Sequence, residues 1–400
     1  MLYRKVPKNG DELSILGFGC MRLPANADGS IDEARAIAQV RSAIDQGVNY
    51  LDTAWPYHGG ASEPFLGRAL EDGYRDKVRI ATKMPTWMIN SREDMDYYLD
   101  RQLEKLKTDR IDYYLLHALN GESWDTLKAL GVVDFFDKAV EDGRIINPGF
   151  SFHGLAEDFT RIVDEYPWVF CQIQFNFLDQ ENQAGLAGLR YAASKKLGVI
   201  IMEPLRGGNI GLPEAPPAID EIWNRAEQKR TPVEWALRWV WNHPEVTSVL
   251  SGMNEEGHIK ENLAIASEAT PNSLNGEELD IVDQGARKYL ELMKVGCTGC
   301  GYCMPCPEGV QIPVIFEVYN KMHMFGDKER AKIGYALRLS GELTGDPPGF
   351  ATQCVECGEC MEKCPQNLEI IDDLAVVAEE LEGPELQDHV KMAAEWIKVK

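Results

Sequence analysis

The chain has 400 residues, 44% of them apolar, and a formal net charge of −23 from 64 acidic and 41 basic side chains. Such a length allows two or three domains, or one large α/β barrel with an appendage, and the apolar share excludes bulk disorder. The negative balance argues against nucleic acid or an anionic membrane as partner, since both demand cationic surfaces.

The N-terminal stretch MLYRKVPKNGDELSILGFG has no apolar core and no small-residue cleavage site, and no apolar run reaches about 18 residues. A cytoplasmic protein without a membrane span is therefore expected. Eight of the ten cysteines fall between Cys297 and Cys364. In a cytosolic chain such crowding reads as metal or cluster ligation rather than disulfides.

In chain order, eight short β-rich runs alternate with amphipathic stretches. The runs cover residues 14–20, 48–54, 78–84, 111–118, 146–152, 171–176, 198–204 and 247–253. Helix starts are marked between them. Asp32 and Glu33 lead into a helix that Gly47 ends, and Ser91 precedes a second. Ser123 opens a long run to Asp142 that Gly143 closes, and Pro232 follows Thr231 at a first helical position. Strands alternating with helices imply parallel strands with right-handed crossovers. Eight such units predict an α/β fold, a (β/α)8 TIM barrel. An open doubly wound sheet is the alternative, but Gly17-Phe18-Gly19 opens only a broken dinucleotide fingerprint. The pattern stops near residues 271–276. The expected domains are a barrel over 1–275 and a smaller, mainly helical domain over 276–400.

Chemistry in such barrels sits at the C-terminal ends of strands. Asp52, Lys83 and His117 each follow an apolar run, and Tyr57 lies just beyond the second. Singly these are ordinary: an Asp there is often a cap, and Tyr or His is often structural. Together they suit carbonyl reduction, which needs a positioned acid to protonate oxygen. Tyr57 is a poor acid at neutral pH; a neighbouring Lys83 ammonium is expected to lower its pKa, with Asp52 holding Lys83 and His117 orienting the carbonyl. Trp55, Trp87 and His58 are candidates to flank the pocket, or packing residues.

The stretch Leu51-Asp52-Thr53-Ala54-Trp55-Pro56-Tyr57, followed by Ser62-Glu63-Pro64-Phe65-Leu66-Gly67, resembles the signature of the aldo-keto reductase family. The resemblance spans about residues 2–267. It implies that Asp52, Tyr57, Lys83 and His117 form a catalytic tetrad with Tyr57 as acid and base, and that NAD(P)H is the hydride donor. It also implies that Ser151 and Gln172 hold the nicotinamide amide. Leu205, Gly207 and Gly208 then belong to the pyrophosphate loop, and Ser251, Glu261 and Asn262 to the adenosine segment. Phe152 and Met202 depart from the family's usual residues. Gly252 and His258 replace cations that often grip a 2′-phosphate, and Glu255 and Glu256 would repel one, so NADH is expected over NADPH.

The cysteines form two runs: Cys297, Cys300, Cys303, Cys306, then Pro307; and Cys354, Cys357, Cys360, Cys364, then Pro365. Two-residue gaps let a short loop place successive sulfurs on adjacent iron corners. Four-cysteine zinc is the alternative; the doubled run with trailing Pro favours iron. This region resembles two-cluster, helical ferredoxins over about residues 296–374. The resemblance implies two [4Fe–4S] clusters, one on Cys297, Cys300, Cys303 and Cys364, the other on Cys354, Cys357, Cys360 and Cys306. The first run departs from the ferredoxin pattern in its last gap, which is two residues rather than three. Cys20 and Cys171 read as core thiols.

The expected activity is an NAD(P)H-dependent oxidoreductase interconverting a small-molecule carbonyl and an alcohol, with the clusters exchanging electrons, a redox partner protein being one outlet. No flavin signature links hydride to one-electron chemistry, although a barrel can bind flavin without one. The alternative is a redox-sensing or electron-transfer protein whose barrel is a docking scaffold.

Overall fold

The computed structural model describes residues 1–342 and 345–398. Two compact units emerge. One takes Met1–Pro204 with Glu234–Asn275; the other takes Leu205–Val233 with Gly276–Lys400.

The first unit opens with a hairpin, β1 (Tyr3–Lys5) and β2 (Glu12–Ser14), paired antiparallel. Its turn is tied by Val6 N–H to the Asp11 carbonyl at 2.8 Å and uses Gly10 at φ 79°. Val6 and Leu13 pack with Tyr50, Tyr113 and Phe170, which lie at or near the beginnings of barrel strands. The hairpin thus covers the N-terminal end of the barrel and leaves the opposite end for chemistry. Sequence periodicity missed it, since each strand is only three residues long.

Eight parallel strands close on themselves: β3 (Leu16–Gly19), β4 (Tyr50–Asp52), β5 (Arg79–Met84), β6 (Ile111–Leu119), β7 (Ile145–Phe152), β8 (Phe170–Gln174), β9 (Gly198–Met202) and β10 (Val246–Ser251). β10 pairs with β3 to complete the (β/α)8 barrel. All eight match expected runs, because nearly every residue in them is buried on one side by the barrel interior and on the other by helices. Register places Asp52 beside Ala81 and Lys83 beside Leu115, so neighbouring strand ends converge.

Helices Glu33–Asp45, Arg92–Leu106 and Pro232–Trp241 form as their caps foretell. Ser91 and Asp94 make a reciprocal capping box. The single long helix expected after Ser123 is instead two, Gly121–Ala129 and Val132–Glu141. Asn120 is the cap and Ser123 sits inside the first turn; Gly131 at φ 86° breaks the run.

The second unit is helical: Gly276–Leu292, Ile312–Phe325, Lys328–Leu339, Ile370–Leu381 and Leu386–Lys398 carry most of it. Val310, Ile315, Phe316, Tyr335, Leu374 and Val377 lie in its core. The stretch Leu205–Val233, expected within the barrel domain, packs here. Gly285 faces the Trp223 ring so closely that a Cβ would lie 2.5 Å from it. Arg230 pairs with Glu278 at 2.5 Å, the two side chains nearly buried. Among the described residues no helix is long and apolar enough to cross a membrane.

Candidate functional site

Asp52 ends β4, Lys83 lies near the end of β5, His117 near the end of β6, and Tyr57 begins a short 3-10 turn, Tyr57–Gly60. The barrel brings all four together. Lys83 Nζ, 1% exposed, donates to Asp52 Oδ1 at 2.6 Å and to the Thr53 carbonyl at 2.8 Å. Tyr57 Oη stands 3.4 Å from the same nitrogen. The His117 ring meets the Tyr57 ring edge-on, with centroids 6.0 Å apart.

The connection that carries Tyr57 is pinned from beneath. Thr53 and Ser62 share a hydroxyl hydrogen bond at 2.8 Å, and Ser62 donates to the Cys20 carbonyl at 3.0 Å. Buried Glu63 accepts from Thr82 (2.7 Å), Gln102 (2.6 Å) and Lys105 (3.2 Å), locking the following helix to β5. Of the three pocket candidates, Trp55 is committed to packing, with Lys105 Nζ 3.3 Å from its ring centre and Tyr98 edge-on. His58 Nε2 accepts from Leu23 N–H. Trp87 is 53% exposed and its ring is tilted against that of His117 with centroids 5.1 Å apart.

The electrostatics overturn one expectation. Burial pushes the Tyr57 phenol well above its usual value of 10, with Asp52, Cys20 and Glu203 adding to the rise. The Lys83 ammonium does not reverse this because its charge is matched at 2.6 Å by Asp52. Tyr57 is therefore a neutral hydroxyl donor. Burial, then Lys83 and His153, hold His117 well below 6.5, so its imidazole is neutral. Burial raises the Asp52 carboxyl against the pull of Lys83 and of the nearby Gln172 amide.

Among the expected nucleotide contacts, Gln172 on β8 lies near Asp52, and its Oε1 is buried with no hydrogen-bond partner. That orphaned oxygen fits the amino group of a nicotinamide carboxamide. Ser151 fits less well. Its Oγ accepts from Ala118 N–H at 2.9 Å and donates to the Leu116 carbonyl at 3.4 Å, stapling β7 to β6. Asn262 donates to Ser251 Oγ at 2.8 Å, with Glu261 adjacent on helix Glu256–Ala266. Arg35 forks onto Glu255 and Glu256 at 2.5 and 2.6 Å, and Gln39 also reaches Glu256. Hydrogen bonds from Arg35 hold the Glu256 carboxyl down to about 2. The expected repulsion of a 2′-phosphate is thus partly masked.

Leu205, Gly207 and Gly208 lie in the second unit, in a tight turn where Gly207 and Gly208 take φ 68° and 101°. Arg206, part of the same resembling stretch, and Asn209, which the sequence did not single out, make contacts there that sequence did not foretell. Arg206 donates to the Gly296 carbonyl at 3.4 Å and touches Met293 Sδ, and Asn209 donates to the Cys297 carbonyl at 3.1 Å. The Gly-rich turn is therefore tied to the first cysteine loop.

The eight clustered cysteines line two cavities. One has Cys297, Cys300, Cys303 and Cys364 in its wall; the other has Cys306, Cys354, Cys357 and Cys360, and Cys303 lines both. The thiols feel one another in the same two sets: Cys303 with Cys300, Cys297 and Cys364, and Cys360 with Cys354, Cys357 and Cys306. Among the described residues no group of three His, Cys, Asp or Glu is arranged to hold a single metal ion. Sulfurs set around a volume, rather than a point, fit cubanes better than zinc. Glu382 fixes the second loop's approach: it accepts from Ala351 N–H (2.6 Å), from Thr352 N–H and hydroxyl, and from Tyr335. Cys20 and Cys171 are buried thiols that burial pushes up.

Residues 15–284 match the Aldo/keto reductase family, and residues 296–369 match the 4Fe-4S dicluster domain. L-galactose dehydrogenase of Arabidopsis thaliana is 28% identical over 300 residues, covering 70% of this chain and 92% of that protein. Aldo-keto reductase YhdN of Bacillus subtilis (strain 168) is 29% identical over 187 residues, 41% of this chain and 56% of the relative. The apo structure of aldo-keto reductase AKR11C1 from Bacillus halodurans superposes with a TM-score of 0.57 at 26% identity, over 72% of this chain and 95% of that one. With the eight-stranded barrel and the paired cysteine cavities already described, the chain belongs to the aldo/keto reductase family of oxidoreductases and carries a fused 4Fe-4S dicluster domain.

Proposed function

We propose that the barrel interconverts a small-molecule carbonyl and its alcohol with NAD(P)H, NADH being preferred, and that the fused clusters exchange single electrons with a partner. The observation that carries this reading is the buried grouping of Lys83, Asp52 and Tyr57 beside a neutral His117.

A bound nicotinamide supplies the hydride. Gln172, through its unpartnered Oε1, holds the carboxamide. Neutral His117 donates an N–H to the substrate oxygen and orients it. Tyr57 Oη then gives its proton to that oxygen as negative charge develops, and Lys83 stabilises the tyrosinate left behind. Asp52 keeps Lys83 in place, and their near-complete burial keeps water from competing. In oxidation the tyrosinate oxygen of Tyr57, 3.4 Å from Lys83 Nζ, accepts the alcohol's proton and returns to the hydroxyl form. Two carboxylates facing one guanidinium at Arg35 leave net negative charge near the adenosine segment, which supports NADH. The clusters, held by the two cysteine sets, supply one-electron transfer.

The test is Tyr57→Phe, assayed anaerobically with NADH and NADPH on a panel of aldehydes and ketones. Loss of about 10²–10⁴ in kcat is expected, the usual contribution of a positioned acid, with the iron–sulfur absorption unchanged. Undiminished turnover would end the tetrad reading. If cofactor turnover coupled to a one-electron acceptor persists in Cys354→Ser, the electron-exchange role is lost while the carbonyl chemistry stands.

A further inference from the structure

Thr298 sits between the first two cysteines of the first run and lines the cavity shared by Cys297, Cys300, Cys303 and Cys364. Its side chain is 1% exposed, and its Oγ1 is buried with no hydrogen-bond partner. Buried hydroxyls are rarely left unpaired, because losing water without gaining a partner is costly. An acceptor absent from the protein atoms would complete the bond, and a wall of four thiols points to sulfur as that acceptor. The loop already uses sulfur this way, since Gly299 N–H donates to Cys297 Sγ at 3.4 Å.

We propose that the Thr298 hydroxyl donates a hydrogen bond to a sulfur of the cluster in this cavity and raises that cluster's reduction potential above its neighbour's. The proposal rests on the assignment of a [4Fe–4S] cluster to this four-cysteine set. Reduction adds negative charge to the cubane, and a donor aimed at its sulfur stabilises the more negative state. The second cavity lacks the device. Among the described residues no hydroxyl lines it; the position after Cys354 is Val355, and Glu308 and Glu359 stand in its wall. Carboxylates there oppose added negative charge. One chain thus holds two cubanes with similar ligands and different potentials, the Thr298 cluster filling first.

The experiment is a mediator-buffered redox titration of the anaerobically prepared holoprotein, followed by electron paramagnetic resonance. Parent, Thr298→Val and Thr298→Ser are compared after iron and sulfide analysis. The parent is expected to show two separated midpoints. Thr298→Val, equal in shape but without the hydroxyl, should keep its iron and lower the higher midpoint. One lost hydrogen bond corresponds to roughly tenfold in the one-electron reduction constant, about 59 mV. Thr298→Ser should keep the parental value. If the valine chain does not assemble, Thr298→Ala is read in the same way. Unmoved midpoints in Thr298→Val or Thr298→Ala, or an equal fall in Thr298→Ser, overturn the proposal alone. A parent with fewer than two cubanes per chain overturns it together with the cluster assignment.

Discussion

Replacing Lys83 by Met removes the cation from a buried pair and leaves Asp52 buried without its ion-pair partner. The ammonium is 1% exposed and 2.6 Å from the carboxylate, so solvent cannot replace it. A carboxylate so stranded takes up a proton. Holding an aspartic acid neutral at pH 7, when its unfolded counterpart ionises near 3.9, costs at most about 4 kcal/mol relative to the parent, whose own Asp52 carboxyl burial already raises, and at pH 5 at most about 1.5 kcal/mol. The Thr53 carbonyl also loses its donor, worth about 1 kcal/mol at either pH. The total is at most about 5 kcal/mol at pH 7 and about 2.5 kcal/mol at pH 5, in line with the usual cost of breaking a buried pair. The sign follows from linkage. The variant's folded state binds the extra proton, its carboxyl pKa lying above the unfolded value, so its stability deficit grows as pH rises. Anaerobic urea unfolding of parent and variant, read by far-ultraviolet circular dichroism at pH 5 and 7, measures the difference. Adding Asp52→Asn to Lys83→Met should recover most of the pH-dependent part. Equal deficits at the two pH values, or no recovery from the second change, would refute the reasoning.

Cys364→Ser should halve the iron content and leave the signal of the cluster bound by Cys354, Cys357, Cys360 and Cys306, because Cys364 completes the other cavity; loss of both clusters would contradict the two sets. Arg35→Ala unmasks Glu255 and Glu256 and should raise the KM for NADPH more than that for NADH; an unchanged ratio removes the charge argument for NADH. His117 titrates well below 6.5. Its imidazole therefore stays neutral from pH 8 down through 6.5, and kcat/KM should show no acid limb near 6.5; a limb there that vanishes in His117→Gln would place its pKa in the ordinary range.

The barrel was legible because its strands are short runs buried on each side, between helices whose ends carry recognisable caps, as at Asp32 and Ser91. Breaks set by a single glycine conformation, such as Gly131 at φ 86° and Gly326 at φ 69°, were not. The first divides the expected long helix, and the second divides the segment between the cysteine runs into two. The four residues at the strand ends could be read in order, since barrel topology sends each to the same end. The direction of the Tyr57 shift could not, because it depends on how completely Asp52 cancels Lys83 and on burial. Nor could the bonds from Arg206 and Asn209 to the cysteine loop, which join residues 87 to 90 positions apart.

The dicluster portion is not a detachable cassette. Its compact unit includes Leu205–Val233, a stretch lying between β9 and β10. A chain cut after Asn275 would keep that stretch but lose the Gly285 surface against which Trp223 packs and the Glu278 carboxylate that neutralises Arg230. Grafting residues 276–400 onto another protein would likewise strip Cys297 of its Asn209 donor. Swapping the barrel loop or the cysteine region between relatives without the other should therefore yield poorly folding chimeras.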